Sequence, residues 1–164
     1  MSTIRISTAE NEDLPVIREI AMKVWPGTYG SILTREQIDY MLEMMYSIES
    51  LRQQLTEGHQ FILALDDAAV LGFASYSTTE PGKIKIHKIY ILEEAQGKGI
   101  GKSLIQYIQD RCRKEGARLL YLNVNKYNPA LHFYLRSGMR ILREEVIDIG
   151  NGFIMDDYVM GMEI

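Results

Sequence analysis

Gln96-Gly97-Lys98-Gly99-Ile100-Gly101 is the stretch of this chain whose residue types and spacing most directly imply chemistry. Glycine at every second position lets backbone approach a ligand with no Cβ in the way. Ile100, Leu104, Ile105, Ile108 and Cys112 follow at helical spacing, so a helix begins inside the loop. The free N–H groups of its first turn, and the positive end of its dipole, point into the space the glycines leave. Such a place holds an anion, and a pyrophosphate fits it well. Upstream, Ile84 to Leu92 is a β-prone run that ends in Glu93-Glu94, so the loop joins a strand to a helix.

Two nucleotide-binding patterns come close and miss. A Walker A loop has Gly, four spacers, then Gly-Lys-Ser/Thr. Gly101-Lys102-Ser103 supplies the end, but Gln96 stands where the first glycine belongs. The dinucleotide fingerprint G-x-G-x-x-G needs a glycine where Lys102 stands. The pattern present is Gln-Gly-x-Gly-x-Gly. Further along, Asn128-Pro129-Ala130 and Phe133-Tyr134 place an amide and two aromatics on a short segment closed by Gly138.

The elements that must position these residues can be read in order. Thr3-Ile4-Arg5-Ile6-Ser7 alternates as a short strand. Asn11 or Asp13 caps a helix with Pro15 in its first turn and Leu14, Ile17, Ala21 and Val24 on one face. Trp25-Pro26-Gly27-Thr28-Tyr29-Gly30 reads as a solvated turn ending that helix. Thr34 and Gln37 have capping-box spacing ahead of Ile38, Met41, Leu42 and Met45, and a shorter helix runs from Ile48 to Leu55 with Gly58 as its stop. Phe61–Leu65 and Val70–Ser77 form a hairpin through Asp66-Asp67, and Glu80-Pro81-Gly82 turns into the strand that feeds the glycine loop. Beyond the loop helix and Gly116 come a strand at Leu119–Val124, a helix at Ala130–Arg136 opened by Asn128-Pro129, and two strands joined by Gly150-Asn151-Gly152. No linker or repeat interrupts the chain, so one α+β domain over residues 1–164 is expected.

Together, the glycine loop and the downstream Asn128/Phe133-Tyr134 segment resemble the GNAT superfamily of acetyl-coenzyme A-dependent N-acetyltransferases, over nearly the whole chain. The resemblance implies a mixed, mostly antiparallel sheet of six or seven strands, flanked by helices and splayed between its fourth and fifth strands. In that arrangement the pantetheine arm lies in the splay along the backbone of Ile89, Tyr90 and Ile91. The pyrophosphate takes N–H groups from Gln96, Gly97, Lys98, Gly99, Ile100 and Gly101, with Lys102 beside it. Asn128 and Phe133 border the coenzyme, and Tyr134 approaches the thioester sulfur. The implied cosubstrate is acetyl-coenzyme A, with no metal, and the resemblance allows a homodimer. Thr28-Tyr29, Glu36 to Leu42, Tyr46 to Leu51 and His87 to Ile91 are similar to the bacterial spermine/spermidine acetyltransferase branch, which leaves the acceptor open between a small amine, a polyamine and a peptide or protein amine.

Acetylating an amine sets three demands. A primary alkylamine costs about 4.6 kcal/mol to deprotonate at pH 7, the carbonyl oxygen must be stabilised as it gains charge, and the thiolate must leave. Tyr134 is the candidate acid for the thiolate. His87, just before the coenzyme-binding stretch, is the candidate base, since histidine titrates in the useful range, and Glu93 and Glu94 at the strand's end or a water held by tyrosine hydroxyls are the alternatives. Trp25 and Tyr29 are expected to line the acceptor channel, and Asp156 and Asp157 to make it acidic enough for a cationic amine. Direct attack in a ternary complex is the expected route, because the single cysteine, Cys112, lies on the apolar face of the loop helix. A coenzyme A-binding regulatory module without turnover is the alternative.

Composition trims the other possibilities. A net charge of −4 argues against a general nucleic-acid binder. No apolar run approaches the roughly 20 residues of a membrane span, and Met1-Ser2-Thr3-Ile4-Arg5 has no signal-peptide character. One cysteine allows no internal disulfide, and a cytoplasmic setting is expected.

Overall fold

The computed structural model describes residues 4–164. Its elements are β1 (Ile4–Thr8), α1 (Leu14–Tyr29), α2 (Arg35–Tyr46), α3 (Ile48–Thr56), β2 (Gln60–Asp66), β3 (Ala69–Glu80), β4 (Lys83–Ile91), α4 (Ile100–Glu115), β5 (Leu119–Asn125), α5 (Ala130–Arg136), β6 (Arg140–Gly150) and β7 (Phe153–Glu163). Thr3, read above as the start of the first strand, lies outside the described residues. Among the described residues no helix is long and apolar enough to cross a membrane.

The strands form one sheet in the order β1-β2-β3-β4-β5-β7-β6. Every neighbouring pair is antiparallel except β4 and β5, whose parallel relation requires the crossover that α4 supplies. That parallel pairing covers only Lys83–Ile86 against Leu119–Leu122. From His87 to Ile91, β4 runs on without β5, so the sheet is open there as a V. The mixed, splayed α+β sheet expected from the sequence is the one present.

Within the same stretch β4 carries a bulge. Ser75 of β3 faces Lys88 while Tyr76 faces Ile86, which leaves His87 as the extra residue. A strand alternates faces with period two, so one extra residue exchanges the faces beyond it. Before the bulge Ile84 and Ile86 enter the core around α4; after it Ile89 and Ile91 pack there instead. Tyr90 joins the second core, on the opposite side of the sheet, built from Trp25, Tyr46, Phe73 and the inner faces of α1, α2 and α3.

One expected turn is absent. The residues Trp25 to Tyr29 continue α1, with Pro26 inside it. The helix survives because Trp25 and Tyr29, one turn apart, are only 1% and 5% exposed, with ring centres 4.6 Å apart. Proline in a helix interior costs about 3 kcal/mol, whereas burying two large aromatics returns roughly 2–3 kcal/mol each. Gly30 then ends the helix by donating its N–H to the Pro26 carbonyl at 2.9 Å. The start of α1 differs as well: Asn11–Asp13 is a 3-10 turn, and the Asp13 side chain accepts from the Glu10 N–H rather than capping α1. Thr34 does cap α2, accepting from the Gln37 N–H at 3.2 Å.

The close approach of β3 to the open part of β4 gives a stability test. A Cβ on Gly72 would stand 2.8 Å from the Tyr90 carbonyl oxygen and 3.2 Å from the Ile91 Cα, both backbone atoms. Gly72→Ala is expected to lower the unfolding free energy by about 1–3 kcal/mol in urea titration. An unchanged midpoint would remove this approach as a constraint.

Candidate active site

The splay opens into a cleft of about 820 Å³. One flank is the glycine loop. Gly97 and Gly99 have φ of +82° and +77°, a region side-chain-bearing residues avoid, and a Cβ on either would meet nothing within 4 Å. Gly99 caps α4, and the first helical N–H bond into its carbonyl comes from Ser103 at 3.1 Å. The N–H groups of Ile100, Gly101 and Lys102 precede that bond and have no partner within the helix. Gly101 is tight where its neighbours are open: a Cβ there would be 2.9 Å from the Phe133 ring and 3.2 Å from the Ile91 side chain. The first turn of α4 is thereby clamped against the open end of β4 and against α5. Gln96 donates back to the Ile91 carbonyl at 3.3 Å, and Lys98 is exposed on the loop. An open floor, free helix-end amides and an unpaired strand beside them fit a pyrophosphate with an extended arm attached.

The other end of the cleft is built from hydroxyls and one amide. Asn128 accepts from the Ala130 N–H at 2.9 Å, which starts α5. Its Nδ2 donates to the Tyr29 hydroxyl at 3.4 Å, and that hydroxyl lies 2.9 Å from the Tyr90 hydroxyl. Residues from α1, β4 and the β5–α5 turn are thus tied across the mouth of the V. Tyr134, on the inner side of α5, is buried, and its ring centre is 5.4 Å from that of Phe133. Burial, then the neighbouring Tyr29, hold its phenol well above the ordinary range, and burial raises Tyr29 and Tyr90 too. Tyr134 therefore keeps its proton at neutral pH and is a donor.

His87 has a different character from the one expected. Its Nε2 lies 2.6 Å from the Ser77 hydroxyl, and its ring stacks on His59 with centres 4.0 Å apart and planes 6° apart. Burial first, then the charges of His59, Lys85 and Lys88, push its pKa down to about 3. A neutral imidazole with so little affinity for a proton is a poor base near pH 7.

The expected acceptor residues divide. Tyr29 is on the cleft wall, but Trp25 is not; it lies beneath, with its ring centre 5.8 Å from those of both Tyr46 and Tyr90. It braces the channel rather than lining it. Asp156 is held in an ion pair, its Oδ1 2.9 Å from Lys126 Nζ, which also meets Glu144 at 2.7 Å. Asp157, its neighbour on β7, points to the other face. It is 4% exposed and accepts from Asn123 Nδ2 at 3.3 Å, while its Oδ1 has no partner and burial raises its pKa.

Sequence reading passed over Lys88. It lines the cleft, is 5% exposed, and its ammonium sits 4.9 Å from the centre of the Tyr46 ring. Burial pushes its pKa down to about 8. Three basic residues, Lys85, His87 and Lys88, inside the otherwise apolar run from Ile84 to Leu92 were the available signal.

Residues 14–139 match the acetyltransferase (GNAT) family. A spermidine N(1)-acetyltransferase of Thermoplasma acidophilum is 28% identical over 94% of this chain and 96% of that protein. Among solved structures, the PaiA N-acetyltransferase of Thermoplasma acidophilum in complex with coenzyme A superposes with a TM-score of 0.83 at 24% identity, covering 99% of both chains. A GCN5-related N-acetyltransferase from Rhodopseudomonas palustris gives 0.85 at 20% identity, over 100% of this chain and 98% of that one.

The depressed pKa of Lys88 has a sign that can be measured. Between pH 8 and the unfolded lysine value the unfolded chain holds more protons, so this residue makes stability rise with pH across that window. Below pH 8 the penalty is fully present. Lys88→Met is therefore expected to raise the unfolding free energy at pH 7 by roughly 1–3 kcal/mol, an advantage that shrinks toward pH 10. Thermal denaturation of both proteins at a series of pH values checks it.

Proposed function

This chain belongs to the GNAT acetyltransferase family and is an acyltransferase that uses acetyl-coenzyme A; from that premise we propose that it acetylates a primary amine by direct attack within a ternary complex. The observation that carries the reading is the shared cleft: the glycine loop, the stretch of β4 that lacks a β5 partner and Tyr134 all line one space. Acetyl-coenzyme A supplies an acyl group activated as a thioester. Gln96 to Gly101 hold the pyrophosphate through backbone N–H groups, with Lys102 alongside, and Asn128 and Phe133 border the coenzyme. Ile89, Tyr90 and Ile91 offer backbone groups along the arm, and the N–H of Ile91 or a neighbour stabilises the carbonyl oxygen as it gains charge. Tyr134 gives its proton to the departing thiolate.

The acceptor approaches from the face of the sheet opposite α4. Tyr29 forms the wall there, and Asp157, with one carboxylate oxygen unpartnered, draws in the acceptor's ammonium. His87, neutral and bonded to Ser77, shapes the wall without taking the proton in this reading. The amine loses its proton to water in the cleft before it attacks.

Three measurements test this. Tyr134→Phe should lower kcat by roughly 10²-fold while coenzyme A affinity by calorimetry changes little; equal turnover would take Tyr134 out of the mechanism. The pH profile of kcat/KM should climb with the fraction of free amine and show no inflection in the ordinary histidine range. An inflection near pH 6–7 that disappears in His87→Gln would restore His87 as the base. Binding of coenzyme A with no thiol release across polyamines, amino acids, peptide N-termini and aminoglycosides would count against turnover altogether.

A further inference from the structure

Lys88 is a buried cation without a counter-charge. None of the ion pairs among the described residues includes it. Its ammonium has the face of Tyr46 on one side, an interaction that tolerates a cation without neutralising it. The residues it packs on carry hydroxyls, and the next ring in their cluster an indole N–H. Ser75, directly across in β3, is fully buried with an unpartnered hydroxyl. The Tyr46 hydroxyl and the Trp25 indole N–H, from the same aromatic cluster, are buried and unpartnered too. These groups lie behind the cleft lining, in the packing that backs Lys88, and none of them is a carboxylate.

Among the described residues the one carboxylate that lines the cleft, Glu93, sits past the end of β4 at the glycine-loop flank and forms no ion pair with Lys88; the acids of β6 and β7 are engaged elsewhere. Asp156 and Glu144 are held by Lys126. Asp157 is bonded to Asn123 on the far side of the V. The other lysine on the acceptor flank, Lys23, is exposed and paired with Glu19 at 3.1 Å. Lys88 is thus the uncompensated positive charge of this flank, and at pH 7 it remains mostly protonated.

A buried lysine is tolerable when an anion completes it. We propose that Lys88 anchors an anionic group of the acceptor, so that the amine acetylated here belongs to a small amino acid or amino-acid analogue rather than to a polyamine. This rests on the acetyl-transfer reading above and names its substrate class. The acceptor's two charges find two poles: its ammonium faces Asp157 on β7 and its carboxylate faces Lys88 on β4.

The test compares acceptors matched in amine basicity and differing in the anion. Thiol release from acetyl-coenzyme A is measured with α-amino acids, with ω-amino acids of increasing length, and with the alkylamines, diamines and spermidine of comparable length. At least one amino acid should exceed its decarboxylated partner tenfold or more in kcat/KM. Lys88→Met should bring that ratio near one, and Lys88→Arg should keep most of it. Equal or better turnover of the plain amines or of spermidine by the natural protein would overturn the proposal, as would a preference that survives Lys88→Met.

Binding is read separately. Trp25 is the only tryptophan in the chain and packs edge-on against Tyr46, whose ring holds Lys88, so its emission should shift when the preferred amino acid is titrated onto the protein with coenzyme A bound. The shift should vanish in Lys88→Met. If no acceptor releases thiol, the acetyl-transfer reading fails, and this titration still decides Lys88: no saturable shift with any amino acid means that its ammonium holds only water.

Discussion

A row of backbone N–H and C=O groups on one side of β4 has no strand to bond to beyond Ile86. Buried backbone polar groups left without partners cost on the order of 1–3 kcal/mol each, so an opening of this kind persists only where something else holds the strands apart. Here α4 covers one face of the sheet and the α1–α3 aromatic cluster covers the other. Tyr29, Tyr90 and Asn128 cross the mouth. The unpaired rail is available to a ligand because the surrounding packing, rather than a neighbouring strand, keeps it straight.

Much of this was legible in the residues themselves. The Gln96–Gly101 loop and α4 follow from local rules: glycines where φ is positive, apolar residues at helical spacing, and Gly116 in the left-handed position at the helix end. Asn128 and α5 are local as well, since the turn into the helix needs only the Asn128 side chain and the Ala130 N–H. These elements depend on neighbours a few residues away, which is what a sequence displays.

What the sequence hid is tertiary. Pro26 and Gly27 argue locally for a turn, and only the burial of Trp25 and Tyr29 against Tyr46 and Tyr90 keeps the helix going. Asp156 and Asp157 look alike in sequence, yet one is consumed by Lys126 from a different element while the other lies buried beside Asn123. His87 looked like a base because its type suits one; burial, and after it the neighbouring His59, a residue distant in the chain, lower its affinity for a proton.

The bulge at His87 reaches further than its own side chain. A strand is a wave with a wavelength of two residues, and one inserted residue shifts it by half a wavelength. Everything upstream is in one phase and everything from Lys88 to Ile91 is in the other. Four consecutive residues therefore alternate, with the Ile89 and Ile91 side chains packing one way and those of Lys88 and Tyr90 the other, so that in the proposed reading one short segment serves the coenzyme with its backbone and the acceptor with its side chains. On the proposed assignment, substitution at Lys88 or Tyr90 would change the acceptor side of this segment while leaving the packing of Ile89 and Ile91 against α4 in place.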